Sequence, residues 1–83
     1  MEKQIGKVTH YFTNLNVAVL ELSEEMKLGD EIHILGRITD FTQFVTSMEI
    51  AHKKIEVVGP GMEVAIKVED YVRQGDEVFK VFE

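Results

Sequence analysis

Eighty-three residues carry 15 acidic and 9 basic side chains, a net charge of −6, with no cysteine, no tryptophan and one proline. That length holds a single domain spanning residues 1–83, and 45% hydrophobic with 29% charged content is globular rather than disordered composition. The missing cysteines exclude disulfides, zinc–thiolate and iron–sulfur sites and thiol nucleophiles, and the acidic balance opposes binding to duplex DNA.

The chain begins Met1-Glu2-Lys3-Gln4 and passes straight into mixed polar and apolar residues, not a signal-peptide apolar stretch. No run approaches the ~18 apolar residues of a membrane span, so a soluble, cytoplasmic protein without membrane contact is expected. Ile5–Phe12 and Val17–Leu22 are rich in β-branched and aromatic residues and are predicted as strands around the turn Asn14-Leu15-Asn16. Ser23–Lys27 suits one helical turn capped by Ser23. Leu28-Gly29-Asp30 is turn chemistry, and it opens the strand Glu31–Leu35. Phe44, Thr46, Met48 and Ile50 alternate with Val45, Ser47 and Glu49, which predicts one continuous strand.

From Met48 the pattern is ambiguous. Met48, Ala51, Ile55 and Val58 form a helical stripe, whereas the β-branched Ile55, Val57 and Val58 favour two strands bent near His52. Gly59-Pro60-Gly61 is a turn, and Met62, Val64, Ile66 and Val68 then alternate with polar neighbours as a half-buried strand. Gln74-Gly75-Asp76 leads into a last strand, Glu77–Phe82. Lys27-Leu28-Gly29-Asp30-Glu31-Ile32 and Arg73-Gln74-Gly75-Asp76-Glu77-Val78 share an outline, read as one turn-into-strand device used twice rather than a duplication. Short strands with closely spaced turns predict a small antiparallel sandwich or barrel.

Few residues carry chemistry. Ser23 and Ser47 lack a nucleophile-elbow context, and His10 and His33 lie inside strand runs, where an exposed or edge-bonded side chain is the default. The spacings of zinc and calcium sites are absent, Glu24-Glu25 and Asp30-Glu31 read as solvated loop charge, and no Gly-rich phosphate loop is followed by a helix. No enzyme activity, cofactor or metal is expected. His52-Lys53-Lys54 forms the local basic cluster, with Arg37 and Arg73 elsewhere. Tyr11, Phe12, Phe41, Phe44 and Tyr71 read as core or edge residues rather than base-stacking ones.

The order of these segments resembles domain 2 of the translational GTPases, the barrel that follows the G domain in elongation factor Tu. The resemblance spans roughly residues 5–82. It rests on Gly6-Lys7-Val8, then Leu28-Gly29-Asp30-Glu31-Ile32-His33-Ile34-Leu35-Gly36, then Val45-Thr46-Ser47-Met48-Glu49 with His52-Lys53-Lys54, then Gly59-Pro60-Gly61-Met62-Glu63-Val64-Ala65-Ile66, and finally Arg73-Gln74-Gly75-Asp76-Glu77-Val78. Similar barrels end the U32 peptidases, and small stand-alone versions exist. The resemblance implies an all-β fold, a six- or seven-stranded antiparallel Greek-key barrel, and strands through Met48–Val58. It implies no GTPase activity, because the G domain and its motifs are missing. The family glutamate that helps hold the tRNA end matches Glu49, but Ala51 replaces the family aromatic and His52 its arginine.

The expected role is therefore a non-enzymatic binding module for a protein or ribonucleoprotein partner, with RNA contact an open question, no duplex DNA, and a monomeric or weakly self-associating state. Glu49, His52, Lys53 and Lys54 are the expected contact residues. A structural, self-pairing barrel and an accessory subunit of an RNA- or peptide-processing enzyme are the alternatives.

Overall fold

A computed structural model describes all residues, Met1–Glu83, and contains strands and turns but no helix. The strands in chain order are β1 (Glu2–Phe12), β2 (Val17–Leu22), β3 (Met26–Lys27), β4 (Glu31–Leu35), β5 (Asp40–Phe44), β6 (Met48–Ile50), β7 (Lys53–Lys54), β8 (Val57–Val58), β9 (Glu63–Lys67) and β10 (Glu77–Val81). Eight of them form one antiparallel sheet in the order β5-β4-β10-β1-β2-β9-β6-β7, and β3 pairs with β8 in a separate ribbon. The last strand thus inserts between β4 and β1, a non-sequential order. The ladders end at β5 and β7, and no ladder joins those two ends.

Alternation explains which face is buried. Ala18, Leu20 and Leu22 of β2, Ile32 and Ile34 of β4, Val64 and Ile66 of β9, and Val78 of β10 all enter one cluster of 16 buried residues. Burying an aliphatic side chain contributes roughly 1.5–3 kcal/mol, and a register slip of one residue would expose every one of these. Met26 and Val58 of the ribbon join the same cluster, so the β3–β8 pair covers part of the core that the main sheet leaves open.

Two polar side chains are buried for structural reasons. Gln43 donates to the Lys67 carbonyl at 2.9 Å and accepts the Glu69 amide at 2.8 Å, which ties edge strand β5 to the end of β9. Asp76 accepts the Arg73 amide at 2.8 Å inside its turn.

Several expectations are corrected. Ser23–Lys27 is a bend leading into β3, not a helical turn, and the Ser23 amide donates to the Ile5 carbonyl at 2.7 Å. The continuous strand Phe44–Ile50 is broken. Phe44 closes β5 and faces outward, whereas Val45 is buried and trades backbone hydrogen bonds with Gly29 and Asp30. That exchange uses up the local backbone groups and starts a new strand at Met48. Asp30 is no solvated charge: it accepts the Lys27 amide at 2.9 Å and pairs with Lys80 at 3.2 Å. Strands number ten rather than six or seven, because short two-residue pairs such as β7 and β8 carry no readable alternation. Met48–Val58 is strand rather than helix and bends at His52 as expected, but it forms three short strands, β6, β7 and β8, rather than two, because the chain breaks again at Ile55–Glu56.

Candidate functional site

The expected contact residues all lie on the hairpin of β6 and β7. Glu49 stands directly opposite Lys54, and Ile50 opposite Lys53, so two residues, Ala51 and His52, make the turn. Both have positive φ, 53° and 65°. This is the signature of a primed hairpin turn, which usually takes Asn-Gly because side chains resist that backbone. Lys53 and Lys54 are exposed, and β7 is a terminal strand of the sheet. The structure therefore gathers Glu49, His52, Lys53 and Lys54 at one sheet edge, with no ion pair within the group.

A second cationic group was not legible as a group. Lys7, Arg37 and Arg73, which include both arginines of the chain, line one open groove of about 830 Å³. The groove lies where the end of β4 meets the start of β10, through the pairing of Leu35 with Glu77. Its floor is Gly36 packed on Asp76, so closely that a Cβ at Gly36 would overlap the Asp76 carboxylate. None of the three cations makes an ion pair. Arg73 is held by donating to Thr39 Oγ1 at 3.1 Å, and Thr39 is itself buried. The two acidic lining groups have other partners: Asp76 takes the Arg73 amide, and Glu77 takes Gln4 Nε2 at 3.2 Å. A smaller adjoining groove shares Arg73 and Ile38 and adds Phe41 and Tyr71. Sequence distance, 7 to 37 to 73, hides this group. Only the repeated Gly-Asp turn hinted that two such strand ends are built alike.

The third polar cluster centres on His33, on the outer face of β4. Its Nδ1 lies 3.0 Å from Glu2 Oε1 and its Nε2 lies 2.6 Å from Asp40 Oδ1. The hydrogen bond to Glu2, followed by that to Asp40, raises the His33 pKa above its usual 6.5, against the opposing effect of burial. A doubly protonated ring can donate to both carboxylates at once. Because these occupy opposite nitrogens, the three side chains do not converge on a point where a metal would sit, and neither nitrogen faces a hydroxyl to activate. His10 instead lies edge-on to Phe12 at 4.3 Å. The cluster joins β1, β4 and β5 and has the geometry of a structural clasp. Of the aromatic residues, Tyr11 and Phe41 pack against the core, while Phe12, Phe44 and Tyr71 are exposed.

No protein-family model matches the chain. Among solved structures it is similar to the C-terminal domain of a Geobacillus thermoleovorans protein assigned to the U32 peptidases, with a TM-score of 0.88 and 21% identity over 94% of this chain and 91% of that one. The selenomethionine variant of that domain superimposes with a TM-score of 0.87 and 20% identity, over 92% and 96% of the two chains. These likenesses establish the fold: an all-β, antiparallel domain of the type that ends a U32 peptidase. An uncharacterized protease of Methanocaldococcus jannaschii is 38% identical over 77 residues, which are 92% of this chain. The chain spans only 19% of that relative's length. No helix long and apolar enough to cross a membrane is present.

Proposed function

We propose that this domain is a non-enzymatic binding module related to translation-factor domain 2, which engages a protein or ribonucleoprotein partner through the β6–β7 hairpin. The observation that carries the reading is the placement of Lys53 and Lys54, exposed and without ion pairs, on a terminal strand of an otherwise acidic protein. A strand edge offers unpaired backbone groups to a partner, and two lysines there discourage pairing with a second copy while attracting an acidic surface. Glu49 supplies an acceptor beside them, and His52 projects from the turn between them.

The absence of a protease role for this segment is part of the proposal. Its histidines are bound to carboxylates, set edge-on to an aromatic ring or placed in a turn, and the relative named a protease has four-fifths of its length outside the match. The module then serves as an accessory part of a peptide- or RNA-processing enzyme, acting in the cytoplasm, and needs no cofactor.

Affinity capture from native cells, with and without nuclease, using the unaltered chain and the Lys53→Glu/Lys54→Glu double variant, tests the assignment. The double variant is expected to lose its partner. Retention of the same partners and the same RNA would refute the hairpin as contact surface. A partner set that disappears with nuclease identifies the ribonucleoprotein form of the reading.

A further inference from the structure

The groove between the Gly36–Ile38 loop and the Arg73–Glu77 turn is separate from the hairpin and calls for its own ligand. We propose that it seats a short acidic–apolar peptide segment of a partner protein, with a carboxylate between Arg37 and Arg73.

Four observations support this. First, Lys7, Arg37 and Arg73 line the same groove without ion pairs, although acidic residues outnumber basic ones 15 to 9. Cations that share a groove without ion pairs are available to a bound anion, whose charge they stabilise. Second, Arg73 is positioned by Thr39, so part of its conformational entropy is already lost before a ligand arrives. Guanidinium groups bind carboxylates through two parallel hydrogen bonds, and a preorganised fork makes that pairing tighter. Third, the acidic groups of the groove are turned to the Arg73 amide and to Gln4, leaving the arginines as the groups free to bind. Fourth, the groove is flanked by apolar surface that has no partner: Ile38 is 74% exposed and Tyr71 is 61% exposed. Tyr71 lies beside Tyr11, with ring centres 5.8 Å apart, and offers its exposed ring to an apolar side chain.

Charge distribution favours a peptide over RNA. Asp40 and Asp70 line the adjoining groove, and Asp76 and Glu77 line the groove of the arginines itself. A nucleic-acid strand carries a phosphate on every nucleotide and would place the next ones against these carboxylates. A peptide can set one acidic residue at the arginines and an apolar residue on Ile38 and Tyr71.

Fluorescence anisotropy with a labelled peptide of alternating glutamate and leucine tests the proposal. The controls are the same peptide with glutamine for glutamate and a labelled oligouridine. Saturable binding of the glutamate peptide is expected, with the glutamine peptide and the oligouridine at least about tenfold weaker. Arg37→Gln, which removes a side chain with no internal partner, is expected to weaken binding about tenfold or more, and Arg73→Lys, which keeps the charge but loses the fork, to weaken it measurably. Lys53→Glu/Lys54→Glu is expected to leave it unchanged, which separates this site from the hairpin. Equal binding of the glutamine peptide, tighter binding of oligouridine, or an unaltered affinity in Arg37→Gln would each overturn the proposal.

Discussion

The turn Lys27–Asp30 with strand β4 and the turn Arg73–Asp76 with strand β10 are built bond for bond alike. In each, the first carbonyl accepts the amide of the aspartate, at 3.1 and 3.0 Å, and the aspartate carboxylate accepts the first amide, at 2.9 and 2.8 Å. In each the glycine has positive φ, 89° and 93°, as the third position of a type II turn requires. Each turn also exchanges two backbone hydrogen bonds with a buried valine, Val45 in one case and Val8 in the other. The two strands then pair with each other, His33 opposite Phe79 at the centre.

What differs is the surroundings. The first turn is tied to its neighbours: its chain enters from the β3–β8 ribbon, the Leu28 amide bonds to the Glu56 carbonyl, and Lys80 neutralises Asp30. The second has no such ribbon or ion pair: Asp76 is buried against Gly36, and Arg37 and Lys7 line the groove alongside. One local device therefore serves the fold in one place and borders a cationic groove in the other. Neighbours, not the turn itself, make the difference.

The largest effect is expected where the second turn is unlike the first. Gly36→Ala forces the Asp76 carboxylate out of its position and should cost about 2–4 kcal/mol by urea denaturation, through overpacking and a lost charged hydrogen bond. Gly59→Ala, where a Cβ meets nothing within 4 Å, is expected to stay within ~0.5 kcal/mol of the unaltered chain. Where the turns are alike, the effects should match. Gly29→Ala and Gly75→Ala are each expected to cost about 1–2 kcal/mol, the penalty of a side chain in left-handed backbone. Clearly unequal losses would break the equivalence.

The clasp that spans the pair comes next. Because the folded-state pKa of His33 is raised above 6.5, its contribution is present in full below that value and fades as pH rises through the folded value. The stability difference between the unaltered chain and His33→Gln is thus expected to be larger at about pH 5.5 than at about pH 9. Glu2→Gln and Asp40→Asn should each lower the His33 titration midpoint seen by NMR. The smallest effect belongs to the pair that only the first turn has. Lys80→Met should lose less than ~1 kcal/mol, and that loss should shrink in high salt.

The amino-acid pattern revealed most of the fold. Period-two alternation located β4, β9 and β10, because each buries one face, β-branched content located β2, and the repeated Gly-Asp outline identified a repeated turn. It failed where burial and alternation part company. Val45 is buried by backbone exchange with a distant turn, so Phe44, Thr46 and Met48 look like one face when Phe44 is in fact exposed. Gln43 is buried because it replaces a missing ladder with side-chain bonds to Lys67 and Glu69, and nothing in its neighbours signals that. The grouping of Glu49, His52, Lys53 and Lys54 was legible because these residues are close in sequence and share one hairpin. The groove was not, because it exists only once β10 inserts beside β4 and brings Arg73 to Arg37.

The claim that the Arg73–Asp76 turn borders a binding groove is tested most directly by an amide chemical-shift titration of the chain with the alternating glutamate–leucine peptide. The account predicts saturable shifts concentrated at 35–38 and 73–77, with 27–30 and 49–54 unmoved. Shifts confined to 49–54, or spread equally over both turns, would contradict it.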